Sequence, residues 1–176
     1  MIGYVNLGHK VEYVFFWGHR KTGSGISKSC LSQWYETKFL VDGHEFSTAE
    51  HYMMAKKAEL FGDIESYEKI RASANPGEVK KIGRNVAGFD EGIWIQNRFE
   101  IVVDANRAKF GQNPELTHFL LGTGGGVLVE ASPVDRIWGI GLAADDPAAQ
   151  DPNRWRGLNL LGFALMCVRD ELIADG

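Results

Sequence analysis

The segment 47–58, Ser-Thr-Ala-Glu-His-Tyr-Met-Met-Ala-Lys-Lys-Ala, constrains the fold more than any other stretch. It reads as a helix opened by a hydroxyl cap, Ser47 or Thr48, and running to about Leu60. Glu50, Met54 and Lys57 are spaced i, i+4, i+7 and so share one stripe. Met54 and Ala58 make that stripe the inward one. A carboxylate and an amine turned toward a core are costly unless they are paired or used. The pattern therefore asks for a packed helical core with charge inside it, and chemistry is one reading of that charge. The plainer alternatives are a solvated first-turn glutamate favoured by the helix dipole and an exposed helix lysine, the role expected of Lys56.

Further helices are expected over 64–72, from Asn75-Pro76 to about Gly83, over 90–110, from Pro114 to Gly122, and over 158–172. In 90–110, Trp94, Arg98, Ile101, Val102, Ala105 and Ala108 follow helical spacing, whereas Asn106 to Phe110, with Arg107 and Lys109, reads as a solvated face. Strand formers occupy 12–17, 34–41 and 127–130, with Asp42-Gly43 as a turn signal and 136–140 as a further extended piece. Residues 18–29 read as a loop carrying His19, Arg20, Lys21 and Lys28, and 143–156 as a surface loop. Helices outnumber scattered strands, which favours a compact, mostly helical α+β fold in one domain over 1–176.

The net charge of −4, with acids and bases mixed, argues against a protein that coats nucleic acid through a basic surface. It leaves room for one phosphate or nucleotide in a pocket. No run is long and apolar enough to span a bilayer, and residues 1–10 lack the apolar core of a secretion signal. The cysteines, Cys30 in a loop and Cys167 in the core, are far apart and read as reduced thiols of a cytoplasmic protein. His9, His19, His44, His51 and His118 show no metal-ligand spacing, so neither a metal nor a cofactor is expected.

Several groups outside the first helix carry functional residue types. Trp94 and Arg98, one turn apart, are either a core tryptophan with a snorkelling arginine or an aromatic platform beside an anion-binding guanidinium. Arg84, after Gly83, either caps backbone carbonyls or holds a phosphate. The stretch 130–141 combines Glu130, Asp135, Trp138, Gly139 and Gly141, and glycines there let backbone approach a ligand closely. The Gly124-Gly125-Gly126 run is neither a phosphate-binding Walker loop nor a dinucleotide fingerprint.

Taken in order, these elements resemble the NADAR family, the YbiA-like N-glycosidases. The resemblance rests on Phe15-Phe16-Trp17, Leu31-Ser32-Gln33-Trp34, Thr48 to Tyr52 with Lys57-Ala58, Gly83-Arg84, Trp94, Lys109-Phe110 and Leu120 to Thr123. It continues through Val129 to Ser132, Asp135, Trp138 to Gly141, Asn159 to Gly162, Leu165-Met166 and Arg169. Two departures are a glutamine at Gln33, where asparagine is expected, and the longer basic loop after Trp17-Gly18. The resemblance implies a compact helical α+β domain that hydrolyses an N-glycosidic bond to ribose. The substrates implied are phosphoribosylamino-pyrimidine intermediates of riboflavin synthesis; the alternatives are ADP-ribosyl-guanine, which would make nucleic acid a partner only as an ADP-ribosylated substrate, and a binding module for ADP-ribose without turnover. Glu50 would stabilise positive charge on the ribose carbon, Asp135 would be a second acid/base or ribose-hydroxyl ligand, and Lys57 could form a Schiff base with opened ribose. Trp94 and Trp138 would cover base or sugar. Arg84, with Arg20 or Lys21, would hold the 5′-phosphate, and Arg98, Glu130, Gly139 and Asn159 complete the expected substrate contacts.

Overall fold

The computed structural model describes residues 2–20, 23 and 25–175, so Lys21 lies outside the described residues. Helices dominate and strands are few and short, an α+β fold. The chain has two compact units: Met1–Ser32 with His118–Gly176, and Gln33–Thr117.

The Gln33–Thr117 unit begins with a hairpin of β2 (Phe39–Val41) and β3 (His44–Phe46), antiparallel, with Phe39 opposite Phe46. Asp42 and Gly43 both take positive φ, 52° and 76°, the requirement of the tight turn that matches strand twist. The strand expected over 34–41 keeps only its last three residues. One reason is that the Gln112 amide accepts from Leu40 N (2.8 Å) and donates to Leu40 O (2.7 Å), standing in for a neighbouring strand. Upstream, Gln33 O and Thr37 N bond instead to Glu50 N and Ser47 O.

Next comes α2 (Ala49–Leu60), capped by Thr48, whose side chain accepts from His51 N. Nine of its twelve residues are buried, so it runs through the interior rather than along a surface. It packs against α3 (Ile64–Ala72), α4 (Pro76–Arg84) and α5 (Glu91–Gly111). Asp63, Asn75 and Asp90 cap those three helices with side-chain oxygens. Gly83 lets α4 approach α2: a Cβ there would lie 2.0 Å from Met54 Sδ. On α5 the solvated face expected over 106–110 is half wrong. Asn106, Lys109 and Phe110 are fully buried and only Arg107 is exposed. Two residues apart is about 200° around a helix, so Arg107 and Lys109 cannot share a face.

In the other unit, β1 (Tyr13–Phe16) runs parallel to β4 (Val127–Glu130), with Tyr13 opposite Val127 and Phe16 opposite Glu130. A short α1 (Ile2–Asn6), which the pattern had not suggested, precedes them. The end of α6 (Pro114–Leu121) leads into β4, and α7 (Leu160–Asp175) packs against that strand. Residues 136–140 form turns rather than the expected extended piece. The expected surface loop over 143–156 instead supplies Ala148 and Ala149 to a core with Val129, Ile140 and Leu142, against which Tyr13, Phe15 and Trp155 pack. Two proline-started 3-10 turns, Pro147–Gln150 and Pro152–Arg154, fold it inward, capped by Asp146 and Asp151. The expectation that Cys167 lies in the core is not met. Cys30 is buried in the 3-10 turn Lys28–Leu31 and Cys167 is exposed, because Ala164, Leu165, Val168 and Arg169 take the inward face of α7. Among the described residues no helix is long and apolar enough to cross a membrane.

Candidate functional site

Glu50, Met54 and Lys57 lie on the inward stripe of α2, as their spacing required, at 2%, 7% and 8% exposure. Glu50 sits in the first turn, where the unpaired amides of the helix start favour a negative charge. Its own amide donates to Gln33 O at 3.0 Å, a residue seventeen positions back in the chain. The next residue, His51, is buried and spans two elements. Its Nε2 lies 3.0 Å from Ser73 O, which can only accept, so Nε2 carries the proton and Nδ1 accepts from Thr48 Oγ1 at 2.7 Å. Burial lowers the His51 pKa from its usual value, against a smaller upward pull from the Ser73 carbonyl.

Lys57 Nζ donates to Gly83 O at 2.8 Å, one of the carbonyls a helix end leaves without an internal partner. The same nitrogen lies 4.1 Å from the centre of the Phe89 ring and 5.4 Å from that of Trp94. Burial lowers its pKa from the usual lysine value. The amine therefore has two capacities, as a cap on α4 and as a base or nucleophile more readily neutral than a surface lysine. Trp94 is 9% exposed, and Arg98, one turn on, is half-buried. Arg84 is the exposed last residue of α4.

Sequence reasoning did not single out Phe89, read Asn106 and Lys109 as part of a solvated face, and marked Gln33 as a departure within a matching motif. Asn106 Nδ2 donates both to Val102 O (2.8 Å) and to Gln33 Oε1 (3.0 Å), and both side chains are buried. Gln33 Nε2 and Asn106 Oδ1 are buried with no hydrogen-bond partner among the described residues. Lys109 is fully buried with Nζ 5.6 Å from the Tyr35 ring centre. A basic residue in register with Val102 and Ala105 was the available signal.

The remaining expected residues belong to the unit that holds β1 and β4. Asp135 Oδ1 accepts from Ile137 N and Trp138 N, both at 2.8 Å, so that oxygen closes the turn that places half-buried Trp138. Gly139 is required by packing: a Cβ would meet Glu130 O at 2.8 Å. Glu130, half-buried, ends β4, and its amide donates to Asn159 Oδ1 at 3.0 Å while Asn159 Nδ2 donates to Leu128 O at 2.9 Å. Fully buried Asn159 thus commits both ends of its amide to the edge of β4, with φ +54°. Arg20 is exposed. Among the described residues no group of three His, Cys, Asp or Glu side chains could hold a metal ion.

The family model described as the NADAR domain matches residues 15–173. N-glycosidase R617 of Acanthamoeba polyphaga mimivirus is 45% identical over 165 residues, covering 91% of this chain and 96% of that protein. The chloroplastic riboflavin biosynthesis protein PYRR of Zea mays is 34% identical over 139 residues, 75% of this chain but 20% of that protein. The NMR structure of the E. coli protein YbiA superposes with a TM-score of 0.76 at 27% identity, covering 95% of this chain and 88% of that one. On agreement of that extent, the chain belongs to the NADAR domain family.

Proposed function

We propose that the chain hydrolyses an N-glycosidic bond between ribose and a nucleobase-like group, with phosphoribosylamino-pyrimidines of riboflavin synthesis as its substrate class and the cytoplasm as its setting. The observation that carries the reading is Glu50, a carboxylate 2% exposed at the start of an interior helix. Relatives named N-glycosidase and riboflavin biosynthesis protein support it.

Breaking the bond puts positive charge on the anomeric carbon. A fixed carboxylate beside that carbon lowers the barrier, and one preorganised electrostatic group is worth about 3–4 kcal/mol in a water-excluded site. Water bonds to the carbon as the C–N pair departs on nitrogen. The departing nitrogen gains a proton and the water loses one, which Glu50 can accept. Trp94 covers base or sugar, while Arg98 and Arg84 take anionic groups. In the unit that holds β1 and β4, Gly139 and the Oδ1 of Asp135 hold the turn that carries Trp138, and Asn159 holds the edge of β4 that ends at Glu130.

A second reading is favoured by the lowered pKa of Lys57. Its lone pair attacks the anomeric carbon, the base leaves with the C–N pair, and the ring opens to an iminium that water hydrolyses. Borohydride added during turnover then leaves a ribose adduct on Lys57. Water attack leaves none.

The deciding experiment is mass spectrometry of products from a phosphoribosylamino-pyrimidine and from ADP-ribosyl-guanosine in DNA, side by side. Release of ribose 5-phosphate from the first supports the proposal. Release of ADP-ribose from the second alone moves the substrate to modified nucleic acid. Binding of either without product overturns the hydrolase reading.

A further inference from the structure

A helix start leaves its first amides to be met by a cap, by water or by another part of the chain. In α2 the cap Thr48 serves His51, and the amide of Glu50 is served by Gln33 O. That carbonyl belongs to a residue whose side chain is itself tied down. Gln33 Oε1 receives Asn106 Nδ2, and the same Nδ2 is fixed on α5 by Val102 O. One line of bonds therefore runs from the backbone of α5 through two carboxamides to the amide of Glu50. Both side chains are buried, and each leaves one polar atom without a hydrogen bond among the described residues. A core chosen for stability alone would fill these positions with apolar side chains at lower cost.

We propose that Gln33, anchored through Asn106, is a positioning residue for Glu50: it fixes where the first turn of α2 stands and hence where the carboxylate points. Its kinetic consequences rest on the hydrolase reading; its structural consequence does not. The side chains of Gln33 and Asn106 make no contact with substrate in this role.

Gln33→Met keeps the volume and the backbone carbonyl and removes the amide. Hydrogen exchange should show the Glu50 amide opening about tenfold or more faster, while Met54 and Ala55, mid-helix, keep their protection. With substrate, kcat should fall about 10–100-fold, the scale of a small misplacement of a reacting group, with KM within about twofold. Asn106→Leu, the second variant should the first fold poorly, should do the same. The double variant should be no slower than either single one, and in a Glu50→Gln background neither change should lower the residual rate further. Unchanged exchange at Glu50 overturns the proposal, as does a rate loss that persists undiminished in the Glu50→Gln background. A wild-type protein that hydrolyses neither substrate overturns the hydrolase reading instead, and the exchange measurement still decides Gln33.

Discussion

Replacing Gly83 by alanine tests the packing that sets α2 in place, because two effects of opposite sign compete at one position. In an open helix the change stabilises by about 0.5–1 kcal/mol, since glycine loses more backbone freedom on folding. Here the added Cβ would lie 2.0, 2.8 and 3.1 Å from Sδ, Cγ and Cβ of Met54. Contacts at Cγ and Cβ cannot be relieved by turning the end of the methionine, so the helices must part or Met54 must leave its rotamer. Overpacking of this kind costs about 1–3 kcal/mol. The upper half of that range less the helix gain leaves a net loss of about 1–2 kcal/mol. Urea denaturation followed by far-UV circular dichroism reads this as a midpoint lower by roughly 0.5–1 M, for a slope near 2 kcal/mol per M. Met54→Ala alone should cost about 2–5 kcal/mol through its cavity. Combined with Gly83→Ala it should cost less, because the new methyl enters the space vacated, giving a coupling of about 1–2 kcal/mol. A Gly83→Ala protein as stable as the wild type or more so would show that α4 does not need the close approach, and the account of Gly83 would be refuted.

Three further outcomes are expected. Glu50→Gln should fold as the wild type does and lose about a hundredfold or more in kcat, the scale of removing one preorganised electrostatic group; full turnover in product assays would remove the residue from the chemistry. Asn159→Ala should destabilise by about 3 kcal/mol in thermal or urea denaturation, from two unmet backbone groups on β4 plus an alanine at positive φ, and a loss below about 0.5 kcal/mol would mean that the amide does not hold the strand. For His51 the folded pKa lies below the unfolded one, so its contribution to stability is complete above about pH 6.5 and is lost as pH falls from there through the lowered folded value. Unfolding free energies from urea denaturation between pH 8 and pH 5 should drop in the wild type by up to about 1.4 kcal/mol per pH unit, and less steeply in His51→Gln; parallel curves would count against this assignment.

Local signals in the sequence were strong at helix starts. Thr48, Asp63, Asn75 and Asp90 each cap a helix within a residue of the expected start, since a short polar side chain before an apolar period has few other uses. The inward stripe of Glu50, Met54 and Lys57 was legible for the same reason of period. Non-local features were not. That Gln112 replaces a strand beside Leu40, seventy-two residues away, has no trace in the composition of either segment. Lys109 was misread because a basic residue beside Arg107 suggests solvent until the phase of α5 is fixed by what α5 packs on. The loop over 143–156 looked polar because its aspartates are caps, and caps are polar whether the turn they close lies on the surface or over a core. For Asn159 the residue type was noticed but not its use: its neighbour on β4 lies twenty-nine residues away.

The hydrogen bond from Lys57 to Gly83 sharpens the choice between the two chemical routes. As a nucleophile the amine must withdraw from that carbonyl, leaving a helix end unmet, at about 1.5–3 kcal/mol for a bond of this kind. That penalty slows attack by roughly 10–100-fold and does not forbid it. Against it stands the lowered pKa, which raises the fraction of neutral amine at neutral pH. Structure and chemistry can be separated with Lys57→Arg. A guanidinium can still donate to Gly83 O and stack on Phe89 and Trp94, but it stays protonated and cannot form an iminium. If the amine is the nucleophile, Lys57→Arg keeps its denaturation midpoint close to that of the wild type, loses turnover by about a hundredfold or more, and shows no borohydride adduct. The observation against a covalent role is a Lys57→Arg protein that folds and still releases the base at the wild-type rate, for then the lysine caps α4 and the carboxylate of Glu50 directs water alone.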